Sequence, residues 1–153
     1  MRVFLCSFGN FYIAIPMRSV LALTLQTETE AKALLASESN AVNYNPEDRN
    51  TYVSLPRLFN VPVKKIQHSI IMKSFENDDD DAIKNKTILY IPEVECETEI
   101  PDEEIYPIQT TFSDTLFSSL FSGIQFDSRP AIGGAGGNPV LFLNPEQLIQ
   151  SVQ

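Results

Sequence analysis

The chain has 153 residues, 11 Lys+Arg against 20 Asp+Glu for a formal net charge of −9, and 43% hydrophobic against 20% charged residues. That balance fits a folded domain with a real core and excludes a disordered or fibrous chain. The acidity excludes a nucleic-acid backbone as partner, because phosphates are held by clustered Lys and Arg, and no apolar run approaches the ~20 residues of a membrane-spanning helix.

The charge is unevenly placed. Residues 76–104 carry twelve of the acids against Lys84 and Lys86 alone, so the rest of the chain is close to neutral. The N-terminus lacks the length and the small-residue cleavage site of a signal peptide, so insertion into or export across a membrane is not expected. Cys6 and Cys96 are too few for a disulfide framework and too far apart for a zinc site. Both are expected as buried or half-buried thiols of a cytoplasmic protein.

In chain order, residues 2–8 and 11–15 are apolar and aromatic runs split by Gly9-Asn10, which predicts a β-hairpin with a tight turn. Pro16 ends the second run or places it at an edge. Val20, Leu21, Leu23 and Leu25 predict a further strand, and the helix formers of 29–37 a short helix. Asn43, Asn45, Pro46, Glu47, Asp48 and Asn50 mark a turn between strands at 41–42 and 51–53. Residues 55–60 suit one helical turn. Ile66, His68, Ile70 and Met72 then alternate on one face of a strand, with Ile71 on the other, before an acidic loop.

Residues 87–91 predict another strand up to Pro92. From Glu93 to Glu99 acids alternate with Val94, Cys96 and Thr98, a period of two with one wet face. Residues 112–126 carry Phe112, Leu116, Phe117, Leu120, Phe121, Ile124 and Phe126, followed by a glycine-rich loop to Gly137. Residues 140–143 read as a short buried strand. Asn144 is a candidate N-cap for a last helix, with Pro145 at its first position, Gln147 three residues after the cap, and Leu148, Ile149 and Val152 inward. Nine or ten strands with two or three brief helices make a mainly β domain of barrel or sandwich type.

Candidate chemistry is sparse. Asp78–Asp81 cannot make a calcium loop of EF-hand type, because Ala82 and Ile83 fall where an oxygen ligand and the central glycine are needed. Gly133-Gly134-Ala135-Gly136-Gly137 precedes a strand rather than opening a helix, and no Lys-Ser or Lys-Thr pair follows, so it does not read as a phosphate cradle. His68 is the single histidine, on the apolar face of its strand, with no motif supplying a nucleophile. No metal, cofactor or catalytic set is assigned. The residues favour a β-rich binding or scaffolding domain over an enzyme.

The order of segments resembles the CheW-like coupling domains of bacterial chemotaxis. Residues 4–16, with Tyr12-Ile13-Ala14-Ile15-Pro16, and Val20-Leu21-Ala22-Leu23 look like the family's opening strand, tight turn, "y-x-I-P" and "x-x-V-x-x-I". Its "G-V-I-N-L-R-G-x-x-x-P-V-x-D-L-R-x-L-L-G" stretch lies without a gap on residues 41–60, where Val42, Val53, Leu55, Arg57, Leu58 and Phe59 take its apolar and basic positions. Residues 88–94 are similar to "G-L-x-V-D-x-V", residues 103–108 to the "I-x-P-x-P" approach, and Gly123-Ile124 with residues 140–148 to the closing "G … v-l-l-L-D-x-x-x-L". The similarity covers nearly the whole chain, carried by the order of mostly apolar segments.

Departures are specific. Tyr44-Asn45-Pro46-Glu47 replaces the family's Asn-Leu-Arg-Gly, reversing the charge of that turn. Pro92 and Ser54 stand where it has aspartates, and Ile88 where it has a glycine.

The resemblance implies one CheW-like domain over residues 1–153. Two small five-stranded SH3-like β-barrels pack together, with short helices including a C-terminal one; one barrel runs through the middle of the chain and both termini join the other lobe. It implies a non-catalytic, cofactor-free adaptor in the cytoplasm, recruited to membrane receptor arrays. Its implied partners are a chemoreceptor cytoplasmic tip and the regulatory domain of a CheA-type histidine kinase. Val20, Leu23, Val42, Tyr44, Asn45, Pro46 and Glu47 would lie at the partner groove. The alternative is a divergent scaffold of another bacterial signalling complex, docking a basic partner through the acidic 76–104 segment.

Overall fold

A computed structural model of the chain describes residues 1–37, 40–73, 86–107, 120–125 and 139–152. The opening hairpin joins β1 (Arg2–Ser7) to β2 (Tyr12–Pro16) through a turn whose Gly9 has φ +90°, a left-handed conformation that side-chain-bearing residues rarely adopt. The Phe8 amide donates to the Phe11 carbonyl at 3.0 Å, and the two rings stack at 5.5 Å. A 3₁₀ turn (Met17–Ser19) leads into β3 (Val20–Leu25), and α1 (Glu28–Ser37) connects it to the hairpin β4 (Val42–Asn45) and β5 (Asn50–Ser54). The single-turn α2 (Leu55–Leu58) follows, then β6 (His68–Met72), β7 (Thr87–Ile91) and β8 (Glu93–Glu99). A 3₁₀ turn (Asp102–Glu104), β9 (Tyr106–Pro107), β10 (Phe121–Gln125), β11 (Val140–Leu143) and α3 (Pro145–Val152) complete the described chain.

These strands make two sheets. One has five strands in the order β3-β6-β7-β5-β4, all from the middle of the chain; the other has six, β8-β1-β2-β11-β10-β9, and takes in both ends. The mainly β class and the division of middle against termini agree with the expectation. The sixth strand is the two-residue β9, held on β10 at Gly123. A Cβ there would lie 2.6 Å from Ile105 Cγ2 and 3.2 Å from the Tyr106 carbonyl oxygen, so close approach of the backbones requires the glycine. Eleven strands and three α-helices stand among the described residues. The acidic loop at 76–81, most of the 112–126 apolar run and the glycine-rich loop at 133–137 lie outside them.

The larger core cluster joins the two sheets. Phe4, Cys6, Ile13 and Ile15 from one meet Val53, Ile70, Met72, Leu89 and Ile91 from the other, and Leu55 of α2 and Leu148 of α3 close it. A smaller cluster lies on the opposite face of the six-stranded sheet, with Val3, Leu5, Tyr12, Ala14, Ile100, Val140 and Phe142. β1 and β2 are therefore buried on both faces, which is why their sequences are continuously apolar instead of alternating. β8 does alternate: its glutamates are exposed, while Val94, Cys96 and Thr98 are half-buried.

The last helix forms where its cap predicts. Asn144 Oδ1 accepts the Gln147 amide at 3.3 Å, Pro145 occupies the first turn, and Leu148 is fully buried. Cys6 is a buried free thiol whose pKa is pushed up by burial, with Cys96 adding to the shift; Cys96 itself is half-buried.

Candidate partner-binding surface

β3 and β4 are the two edges of the five-stranded sheet, so each has one side without a hydrogen-bonded neighbour. Five of the six large hydrophobic side chains exposed among the described residues lie on these two strands. They are Leu21 (51%), Leu23 (38%), Leu25 (65%), Val42 (36%) and Tyr44 (60%). Leu23 stands opposite Ile70 and Leu25 opposite His68, while a bulge between Val20 and Ala22 leaves Leu21 out of the ladder with β6. An edge strand carrying leucines at alternate positions offers both backbone groups and apolar anchors to a partner.

The seven residues proposed from the sequence fall in two places. Leu23 belongs to the β3 row, whereas Val20 is half-buried and packs against the larger core. Val42, Tyr44 and Asn45 are on β4, and Pro46 and Glu47 follow in its exposed turn. No hydrogen-bonded ladder joins the two groups, which sit at opposite ends of the strand order. Leu21 and Leu25 were missed, although their period of two with Leu23 is readable in the sequence once β3 is known to be an edge.

The turn after β4 is built by side chains. Asn45 Oδ1 accepts the Glu47 amide and Asp48 Oδ1 the Asn50 amide, each at 2.9 Å, and Arg49 takes a left-handed φ of 61°. The Tyr52 hydroxyl donates to Asp48 Oδ2. That bond, with help from the Asn50 amide, holds the Asp48 carboxyl below its usual range. Order in this turn therefore comes from Asn45 and Asp48 as much as from Pro46.

The acids of β8 form a second surface. Glu93, Glu95, Glu97 and Glu99 are all exposed along the outer edge of the six-stranded sheet. Arg2 approaches Glu97 at 3.7 Å, a pair open to solvent on both sides and therefore of little energetic weight. Burial and then the neighbouring Glu93 raise the Glu95 pKa.

His68 is occupied structurally. Its Nδ1 accepts the Val94 amide at 3.1 Å, linking β6 of one sheet to β8 of the other. Burial lowers its pKa, with Glu93 opposing. The unfolded chain therefore binds the proton more readily, and stability should fall as pH drops below about 6.5, the ordinary histidine value. Glu95 acts in the opposite sense, since its raised pKa makes the folded chain bind the proton more readily than the unfolded chain does. His68→Asn keeps an acceptor near the Nδ1 position without titrating. It should flatten the Tm profile between about pH 7 and 5.5, measured by thermal melts; an unchanged slope would show that the clasp is not titrating.

Among the described residues no group of three or more His, Cys, Asp or Glu could hold a metal, and no helix is long and apolar enough to cross a membrane. No protein-family model matches the chain, and no curated protein matches its sequence. Among solved structures, it is similar to the scaffolding protein TtCheW from Thermoanaerobacter tengcongensis. The TM-score is 0.56 at 12% identity, over 94% of this chain and 83% of that one. Two sheets, one from the middle of the chain and one from its ends, with a capped C-terminal helix, thus give this chain the fold of a CheW scaffold.

Proposed function

We propose that the chain is a non-catalytic adaptor of bacterial chemotaxis signalling. It joins chemoreceptor cytoplasmic tips to the regulatory domain of a CheA-type histidine kinase, in the cytoplasm and recruited to receptor arrays. The observation that carries this reading is the concentration of exposed apolar side chains on β3 and β4, the two edges of a sheet in a CheW-like fold. Such rows supply the few buried anchors that dominate an interface, and a free strand edge fixes their register. Titration of the full chain with a kinase regulatory domain and, separately, with a receptor-tip fragment tests the proposal. Binding of each at about 100 μM or tighter is expected, roughly −5.5 kcal/mol; binding of neither would sink the coupling role.

The second reading is a scaffold of another bacterial signalling complex that docks a basic partner, favoured by the four exposed glutamates of the β8 edge. Salt separates the two. Raising it from about 0.1 to 1 M shortens the screening length from about 10 to 3 Å. An interface on β8 should then lose most of its affinity, while one on the β3 leucines should keep it.

A further inference from the structure

The outer face of the five-stranded sheet carries a cavity that the adaptor role does not use. Ile71 and Ile88 are register partners on β6 and β7, on the face opposite the core residues Ile70 and Leu89. α1 lies across this face and contributes Ala33 and Leu34, and between helix and sheet a cavity of about 400 Å³ remains. That volume is within the range of small-molecule sites, about 300–1,000 Å³.

Its chemistry is directional. One wall is the aromatic pair Tyr52 and Tyr90, stacked at 5.7 Å and 26°. Tyr52 is anchored from behind by its bond to Asp48, so the wall is fixed in place. A polar end is formed by Gln26, whose Nε2 donates to Ser69 Oγ at 3.0 Å; the serine keeps its own hydroxyl hydrogen to offer. The one charged side chain lining the cavity is Glu30. Lys32 on the same helix is turned to Glu28, at 3.6 Å, and no ion pair among the described residues engages Glu30. Aromatic faces together with a lone carboxylate select against anions and favour a cation carried on a flat apolar body.

We propose that the cleft between α1 and the outer face of the five-stranded sheet binds a flat aromatic amine. Its ring lies along Tyr52 and Tyr90, and its ammonium group turns to Glu30. The ligand enters a site built from β5, β6, β7 and α1, whose lining includes neither the exposed leucines of β3 nor Pro46 and Glu47. Failure of this proposal would therefore leave the adaptor reading untouched.

The test uses the full-length chain, isotopically labelled, titrated with tryptamine and with indole-3-propionate at neutral pH. The two probes share a ring and differ in the sign of their end group. Tryptamine is expected to give saturable amide shifts at Ala33, Ser69, Ile71 and Ile88 with a Kd of about 1 mM or tighter, and indole-3-propionate none that saturate. Glu30→Gln, a change at an exposed position, should weaken tryptamine about three- to fivefold, the size of an exposed ion-pair or cation–π contribution. Ala33→Trp should fill the cavity and abolish the shifts. Absence of saturable shifts, equal binding of the two probes, or retained tryptamine binding in the folded Ala33→Trp protein would each overturn the proposal. Glu30→Gln provides an independent reading if the larger substitution impairs folding.

Discussion

Phe142→Ala is expected to lower the free energy of unfolding by about 3–5 kcal/mol, the largest loss from any single truncation proposed for this chain. Phe142 is 1% exposed on β11, a strand in the interior of the six-stranded sheet between β2 and β10. Its cross-strand partners are Ala14 on one side and Gly123 on the other. Two of the smallest residues thus flank the ring, and neither can move into the space it would leave. The cluster it belongs to has seven buried members among the described residues, so a cavity there removes a large share of their contacts. Phe142→Leu, which keeps most of the volume, should lose only about 1–2 kcal/mol. Urea unfolding followed by circular dichroism measures both. A loss below about 1 kcal/mol for the alanine variant would mean that the face collapses around the gap.

The second large effect concerns binding. Leu23→Asp combined with Leu25→Asp should weaken the kinase regulatory domain by at least about thirtyfold, which corresponds to a hot-spot loss of roughly 2 kcal/mol. Both side chains are exposed in the free protein, so the melting temperature should move little. That separation of affinity from stability is what distinguishes an anchor from a core residue. Tyr44→Asp, on the opposite edge, asks whether the β4 hairpin binds the same partner or the receptor tip. If the double variant binds the kinase domain as the unaltered chain does, β3 is not the docking edge. A Glu95→Lys, Glu97→Lys variant completes the comparison, since it weakens a basic partner on β8 and should leave a β3 interface unchanged.

Much of the local structure was legible because its causes are local. Gly9-Asn10 announces a hairpin since few other residues accept the φ that the turn requires. Asn144, Pro145 and Gln147 announce a helix because capping satisfies amides within one turn. The alternation of Glu93–Glu99 appears as one wet face of β8, since successive side chains of a strand point opposite ways. His68 fell on a strand with no catalytic partners in reach of sequence, and its ring is spent on the Val94 amide.

The candidate surface was only half legible. Val20 and Leu23 look alike in sequence, both apolar and both on β3. Yet Val20 packs against the core, while Leu23 is partly in solvent. Burial depends on what lies across the strand, and that is set by β6, some fifty residues away. The turn after β4 was legible as a turn, although Asn43 and Asn45, expected within it, lie on β4 itself. The Asn45 and Asp48 side-chain bonds became visible only with their donors, the Glu47 and Asn50 amides, placed.

The sequence by itself determined most of the strands, though not β9 and β10, together with the last helix, the concentration of acid in one stretch and the apolar character of β1 and β2, because periodicity, capping and composition act within an element. The tertiary structure alone decided which strands became edges, and so which leucines face water. It alone brought Gln26, Glu30, Tyr52, Ser69 and Tyr90 around one cavity, and set His68 against Val94. Those outcomes depend on pairings between segments far apart in the chain, and long-range contacts leave no periodic mark on the residues that make them.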